Sequence, residues 1–257
     1  MPKYIDYAQY YDNLHLGTVS DLGFYLGYAQ QCGSPVLELA CGTGRLLIPL
    51  AKSGIEMTGV DLSENMLAVC KQKIESRQLA ERVTLVHASM TDYDLPCKDF
   101  ALAFIPFRSF MHLYSQQDQL ACLRRTFEHL RPGGMLIIDI YSPIYKLLAQ
   151  EPDKPFSVRQ EFDLPNGHHG IRKDRFVKND PLLQINYAEL RFEEYDTTGT
   201  PVYERTIPLS TRYTFRYEMQ LLLEKVGFEI IEFFRDYDKT PYDGTGEIIV
   251  IARKRHS

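Results

Sequence analysis

A chain of 257 residues, 44% hydrophobic and 25% charged, is long enough for one large domain or one domain with a sizeable insertion. Its formal net charge of −5 argues against gripping nucleic acid, which calls for clustered Lys and Arg, and no apolar run approaches the ~20 residues of a membrane helix. Five dispersed cysteines (Cys32, Cys41, Cys70, Cys97, Cys122) without CxxC spacing fit free thiols rather than disulfides or structural zinc.

The opening "MPKYIDYAQYYDNLH" lacks the apolar run and small-residue cleavage site of a signal peptide, so the expected location is the cytoplasm, with no membrane partner. Within it Tyr4, Tyr7, Tyr10, Tyr11 and Leu14 recur at helical spacing, and the plainest expectation is a helix packed on the body. At the other end Arg253, Lys254, Arg255 and His256 form the one basic cluster, read as a solubilising tail.

Between residues 35 and 141 short apolar runs alternate with helix-period stretches. Residues 36–40 read as a buried strand. A helix over 45–52 follows, with Leu46, Leu47, Leu50 and Ala51 on one side and Gly54 closing it. A second strand over 57–60 ends at Asp61. Ser63 then caps a helix striped by Met66, Val69, Cys70, Lys73 and Ile74. Strands are expected over 83–86, 101–105 and 135–140, with a helix marked by Leu120, Leu123, Phe127 and Leu130 ahead of the last. Such alternation implies right-handed βαβ units and a parallel sheet covered on both faces.

After Tyr141 the rhythm changes. Asn166-Gly167 and residues 197–201 are turn chemistry, and Leu183, Ile185 and Tyr187 alternate with polar neighbours. An antiparallel meander is expected over roughly 156–213. Thr214 is read as the cap of a helix striped by Met219, Leu222, Leu223 and Val226 and ended by Gly227; strands over 228–234 and 248–252 close the chain.

The stretch with most chemical content is "PVLELACGTGRLLIPL" (35–50). Two glycines one residue apart after a strand suit a close approach of backbone to ligand, although a tight structural turn explains them equally well. A dinucleotide turn needs a third glycine where Leu47 stands, and a P-loop needs Gly-Lys-Ser/Thr where Gly44-Arg45-Leu46 stands, so both phosphate readings weaken. Asp61 closes the next strand nineteen positions after Gly42, where a carboxylate can accept hydrogen bonds from both ribose hydroxyls of an adenosine; helix capping is its plainer use. Glu38, inside an apolar strand, is costly to bury unless a cation or donors meet it. An adenosine-bearing ligand with a cationic centre and an amino group, but no phosphate, fits all three residues.

These stretches resemble a known family. "VLELACGTGRL" followed by "GVDLSENML" is similar to the class I S-adenosylmethionine-dependent methyltransferases, particularly their small-molecule branch, which includes amino-sugar N,N-dimethyltransferases and related natural-product enzymes. The resemblance runs on through "FIPFRSFMHL", "HLRPGGMLIIDIY" and "YTFRYEMQLLLEKVGFEII", covering 36–141 and 211–253; residues 142–210 match only in general character. It implies an α/β fold: a doubly wound, mostly parallel, seven-stranded Rossmann-like sheet with the antiparallel meander inserted. It further implies a helical lid over 1–30, a cofactor-binding core over 31–150 plus 211–257, and a β insertion over 151–210 on the substrate side.

Carried over by position, the resemblance implies that Gly42 and Gly44 pass under the methionine portion of S-adenosylmethionine while Glu38 organises its amino group. Asp61 would hold the ribose, and Leu62 and Met66 would pack near the adenine. Ala40 and Ile105, at strand ends, join this set. Where many relatives have Gly-Asp-Met, this chain has Ala88-Ser89-Met90, so Met90 would cover the adenine and Ser89 would replace an aspartate that contacts the adenine amino group. In resembling enzymes a "YYD" segment like Tyr10-Tyr11-Asp12 folds over the cofactor, which makes Tyr11 a candidate for touching cofactor or substrate.

Methyl transfer is an in-line displacement in which the protein chiefly supplies alignment, and a nucleophile carrying a proton needs a base. His112 is the candidate base; hydrogen-bonded structural histidine is its bland alternative. Ile105-Pro106-Phe107-Arg108 departs from the Asn/Asp-Pro-Pro-Tyr/Phe signature of enzymes that methylate adenine N6 or glutamine amides, and no cysteine lies there for cytosine C5 chemistry. His168-His169, with no carboxylate at ligand spacing, are read as exposed turn residues, and no metal is expected. The expected function is transfer of a methyl group to nitrogen or oxygen of a small-molecule acceptor, by a monomer or homodimer. The alternatives are methylation of a protein or RNA, a non-catalytic S-adenosylmethionine-binding scaffold and, more remotely, a nicotinamide dehydrogenase.

Overall fold

The computed structural model describes residues 11–12, 21–143, 148–149 and 151–255. Tyr4, Tyr7, Tyr10, Leu14 and His256 lie outside them, and so does most of the expected N-terminal lid. Among the described residues no helix is long and apolar enough to cross a membrane.

The five expected strands form. They are β1 (Val36–Leu39), β2 (Met57–Asp61), β3 (Val83–His87), β4 (Phe100–Ile105) and β5 (Leu130–Tyr141). With β11 (Phe228–Phe234) and β12 (Glu247–Lys254) they make a seven-stranded sheet of order β11-β12-β5-β4-β1-β2-β3. Neighbours from β5 to β3 pair in parallel, whereas β12 runs antiparallel to both β5 and β11. β1 and β4 are buried at every position, as strands covered on both faces must be, which is why they read as apolar runs interrupted only by Glu38.

Alternate residues of these strands feed two cores. One face packs Val36, Leu102, Phe104 and Ile137 under α1 (Leu22–Cys32), α2 (Leu47–Lys52) and α3 (Glu64–Ser76). The other packs Leu37, Leu39, Ala103 and Ile138 under α4 (Gln116–His129) and α5 (Arg216–Val226). Each fully buried aliphatic side chain contributes about 1.5–3 kcal/mol.

Strand order reverses between β1 and β4: from β1 the chain moves outward through β2 and β3, then returns to β1's other side. A crevice opens at the carboxyl ends of strands where such a reversal occurs. The glycine turn after β1 and the turn after β4 both lie there.

Several boundaries differ from expectation. α2 begins at Leu47 rather than Arg45, because residues 40–46 are spent in a turn with Ala40, Gly42 and Gly44 at positive φ. β5 starts at Leu130 and takes in Pro132-Gly133-Gly134, its register against β4 shifting between Phe100 and Leu102. Ser63 caps α3 by accepting from the Met66 amide, and Gly227 ends α5 at φ 111°, both as expected. Thr214 does not cap α5; its buried hydroxyl accepts from Gln119 and Arg212, and Phe215 stands at the cap without a side-chain bond.

The meander forms a second, antiparallel sheet of β6 (Ser157–Asp163), β7 (His169–Asp180), β8 (Ile185–Tyr195), β9 (Pro201–Pro208) and β10 (Thr211–Arg212). Gly167 and Gly199 turn its hairpins, both at φ 83°. Leu183 belongs to the turn before β8, so the alternation starts at Ile185. Leu164, Leu190, Phe192 and Ile207 pack on Met66 of α3, with Tyr11, Val69, Phe162 and Tyr203 at the edge. His168 and His169 are not bare turn residues: His168 Nδ1 lies 2.6 Å from Glu194, and His169 lies within 3.3 Å of both Glu161 and Asp163. Strand pairing supplies carboxylates that sequence spacing does not reveal. Among the described residues, no group of three His, Cys, Asp or Glu is placed to hold a metal ion.

Candidate active site

The turn after β1 is stitched to the end of β2 by one carboxylate. Asp61 Oδ2 accepts from the Gly42 amide at 2.7 Å, and Oδ1 accepts from the Ser63 amide at 2.8 Å. Asp61 therefore orders the glycine turn and the start of α3 together, and burial raises its pKa above the usual aspartate value. The two glycines differ in role. A Cβ on Gly44 would stand 2.7 Å from Cys70 Sγ, so that glycine lets the turn pack against α3. A Cβ on Gly42 would meet nothing within 4 Å, and Gly42 lies on the wall of a cavity.

Behind the turn Glu38 is 2% exposed, and its Oε2 has no hydrogen-bond partner. Burial holds its carboxyl well above the ordinary glutamate range, partly offset by attraction to Arg45. A buried carboxylate oxygen lacking a donor costs about 1–3 kcal/mol or more, which a cationic amino group would relieve. Arg45 is itself held in a two-pronged pair with buried Asp21 ahead of α1, each nitrogen 2.7 Å from a carboxylate oxygen. No local pattern in the sequence joins Arg45 to Asp21, which lie twenty-four residues apart.

Tyr11-Asp12 is fastened to the same turn. Thr43 Oγ1 donates to Asp12 at 2.7 Å, and Lys73 of α3 bonds the Thr43 carbonyl at 3.1 Å while pairing with the Asp12 carboxylate. Tyr11 reaches the cavity wall.

The opposite wall comes from the turn after β4. Phe107 and Arg108 both adopt positive φ, 55° and 63°, at a cost of order 1–3 kcal/mol each. Asp139 of β5 holds them there. Its fully buried carboxylate accepts from the Phe107 amide at 2.8 Å, the Arg108 amide at 2.7 Å and the Tyr25 hydroxyl at 2.6 Å. Arg108 thereby faces the cavity, paired with Glu247 and 5.5 Å from the Tyr141 ring centre. One turn further on, His112 Nδ1 lies 3.2 Å from the Ser210 carbonyl. A carbonyl only accepts, so the proton sits on Nδ1 and the basic lone pair on Nε2. Burial lowers the His112 pKa from its ordinary value of 6.5.

The walls enclose a cavity of about 900 Å³. On the side of β1, β2 and β3 it is bordered by Ala40, Gly42, Asp61, Leu62 and Met66, and next to them by Ser89 and Met90. Ser89 Oγ already bonds Thr91, its hydroxyl 2.8 Å from Oγ1. Tyr11 and His112 also border it, so nine of the residues singled out from sequence share one space. Glu38, Gly44 and Ile105 lie behind the wall. The roof is the antiparallel sheet, which contributes Arg159, Arg172, Asp174 and Asn186. Which face of a hairpin points inward depends on register, so the sequence alone does not place these four. Arg108 was within reach: it follows directly on the β4 apolar run.

Residues 36–134 match the model of a methyltransferase domain. A Bacillus subtilis (strain 168) protein named "Putative methyltransferase YqeM" is 29% identical over 208 residues, 80% of this chain and 77% of that protein. The fold is shared with a crystal structure of an S-adenosylmethionine-dependent methyltransferase from Clostridium acetobutylicum ATCC 824 (TM-score 0.77, 20% identity, 97% of this chain and 98% of that one). It is shared also with the sugar N-methyltransferase KedS8 from Streptoalloteichus sp ATCC 53650 (TM-score 0.73, 20% identity, 96% and 93%).

Proposed function

We propose that the chain is an S-adenosylmethionine-dependent methyltransferase that methylates a nitrogen or oxygen of a small-molecule acceptor held beneath the antiparallel sheet, a reading supported by the methyltransferase-domain match over residues 36–134 and by the relative named a putative methyltransferase. The observation that carries this reading is the pairing, across one cavity, of the Gly42–Asp61 wall with His112.

The residues present fit the donor. Asp61 offers the ribose hydroxyls its second lone pairs, and Glu38 Oε2 is a buried carboxyl oxygen with no hydrogen-bond partner, suited to an ammonium group. Leu62, Met66 and Met90 supply apolar surface for an adenine, and Ser89 a hydroxyl beside it. When bound, the donor supplies a sulfonium methyl group whose carbon–sulfur bond breaks as the acceptor's bond to carbon forms, the sulfur keeping the electron pair. The protein aligns the two partners, an effect worth up to roughly 7–11 kcal/mol. His112 Nε2 takes the proton that the acceptor nitrogen or oxygen loses, and its lowered pKa keeps it neutral at pH 7. Tyr11 covers the donor and excludes water, held by Asp12. We read residues 1–30 as lid, 31–150 with 211–257 as donor-binding core and 151–210 as the acceptor-side insertion. The sugar N-methyltransferase named for KedS8 supports a small acceptor.

The test is steady-state kinetics of His112→Ala on an acceptor that the wild-type protein methylates. Loss of a positioned base lowers kcat by about 10²–10⁴-fold. Because the histidine pKa is lowered, wild-type activity persists as pH falls to 6.5 and is lost only below it. The variant loses that acidic limb. Full turnover with an unchanged pH profile would remove the base from the account.

A further inference from the structure

We propose that Asn186 selects the acceptor: its Nδ2 donates to a hydroxyl or carbonyl oxygen that the acceptor carries close to the atom methylated, beside His112. This rests on the methyl-transfer reading of the same cavity and adds a specificity-determining residue and the group it grips.

Asn186 is the second residue of β8, is 5% exposed and borders the cavity. Its Oδ1 accepts from the Asn179 side-chain amide of β7 at 2.8 Å, and its Nδ2 is buried with no acceptor. A buried amide N–H lacking a partner is rare in a folded protein, because the lost bond to water goes uncompensated. Its polar neighbours across the sheet already have partners. Thr211 of β10, directly opposite Asn186 in the antiparallel pairing, has its hydroxyl 2.8 Å from the Tyr141 hydroxyl. The Ser210 carbonyl, one residue earlier, accepts from His112 Nδ1 and from the Tyr114 hydroxyl.

That register sets Asn186 beside the base. Opposed residues of an antiparallel pair have Cα atoms about 4.5–5.5 Å apart and side chains on one face. Asn186 thus stands one strand spacing and one residue from the carbonyl that holds His112. Asn186, Thr211, Tyr141, Tyr114 and His112 all border the cavity. Further along, the same face of β8 turns apolar, with Ala188 and Leu190 at two-residue steps and Phe176 of β7 opposite Ala188. An acceptor fitted to this wall has its nucleophile at His112, an oxygen against Asn186 and an apolar face along Ala188 and Leu190. A site built to bond a substrate oxygen rejects the analogue lacking it, because the analogue leaves the buried donor unpaired.

The test offers matched ring acceptors to the full chain at saturating S-adenosylmethionine: trans-2-aminocyclohexanol against cyclohexylamine, and trans-1,2-cyclohexanediol against cyclohexanol. Initial rates of S-adenosylhomocysteine release give kcat/KM for each. In at least one pair the wild-type protein is expected to favour the member with the added oxygen by about tenfold or more. Asn186→Leu, which keeps the shape and removes the amide, brings that ratio to within about twofold of one, and Asn186→Gln returns part of it. A merely structural loss would lower both members of a pair together and leave the ratio where it was. S-adenosylhomocysteine affinity within about twofold of wild type in each variant shows an intact donor site. A wild-type ratio near one in both pairs, a ratio that Asn186→Leu leaves unchanged, or no turnover of either pair by a chain that binds S-adenosylhomocysteine overturns the Asn186 assignment. Failure of S-adenosylhomocysteine itself to bind wild type brings down the methyl-transfer reading instead.

Discussion

Glu38 is the residue whose chemistry is least settled by the protein alone. Its Oε2 is buried without a donor, and burial holds its carboxyl well above the ordinary glutamate range. A group with a raised pKa binds protons over a pH window above its normal value, and a cation placed beside it pulls that pKa down. Binding of a donor with an ammonium group then releases protons from Glu38 at any pH below its raised pKa. Calorimetry in buffers of different ionisation enthalpy should detect proton release on S-adenosylmethionine binding to wild type, and none in Glu38→Gln. Loss of the charge-assisted bond in that variant weakens binding by about 1.5–3 kcal/mol, roughly ten- to a hundredfold. Equal proton release by both proteins would place the titrating group elsewhere. Asp61 and Gly42 were legible in the sequence, since a glycine turn and an acid at the next strand end are local patterns; their 2.7 Å bond joins those patterns. The meeting of Arg159 and Arg172 at Asp174 was not, because it depends on the bulged pairing of two strands.

Two elements act by being held rather than by touching the chemistry. The Tyr11-Asp12 segment owes its place to Thr43 and Lys73. The Asp12 side chain is 38% exposed, so its ion pair is screened, and Asp12→Ala should cost only about 1–2 kcal/mol in all. That cost should appear as a several-fold rise in the S-adenosylhomocysteine Kd with the melting temperature nearly unchanged. An unaltered Kd would mean that the segment does not cover the donor. The turn after β4 depends on Asp139 instead. Asp139→Ala strands two backbone amides and the Tyr25 hydroxyl and frees a strained turn, so a loss of about 3 kcal/mol or more in denaturant-unfolding stability is expected. Stability equal to wild type would show that the turn holds itself. Tyr25 and Asp139 are 114 residues apart, so no window of sequence joins them. By contrast β1 and β4 were readable outright, because burial on both faces writes an apolar run into the chain. Thr214 misled for a physical reason: a threonine before a helix is a common cap, but Gln119 and Arg212 claim its hydroxyl first.

Across the whole molecule, strand order decides where chemistry sits. The reversal between β1 and β4 opens one crevice, the glycine turn and the Phe107–Arg108 turn furnish its two sides, and the antiparallel sheet closes it above through Leu190 and Phe192 packed on Met66. The parallel sheet was readable because helix and strand periods alternate cleanly over residues 35–141; the sheet above it was readable as a meander, but its seating on α3 was not. Hairpin periodicity tells which residues share a face and leaves open which face turns inward. The central claim is that this cavity seats a methyl donor and a small acceptor together. The most direct test is a mass-spectrometric screen of small amines and alcohols, neutral and anionic, incubated with the full chain and S-adenosylmethionine, with S-adenosylhomocysteine release followed in parallel. The account predicts acceptors gaining one methyl group in step with that release, and loss of both in Asp61→Ala. Tight donor binding with no methylated product across the panel would contradict it.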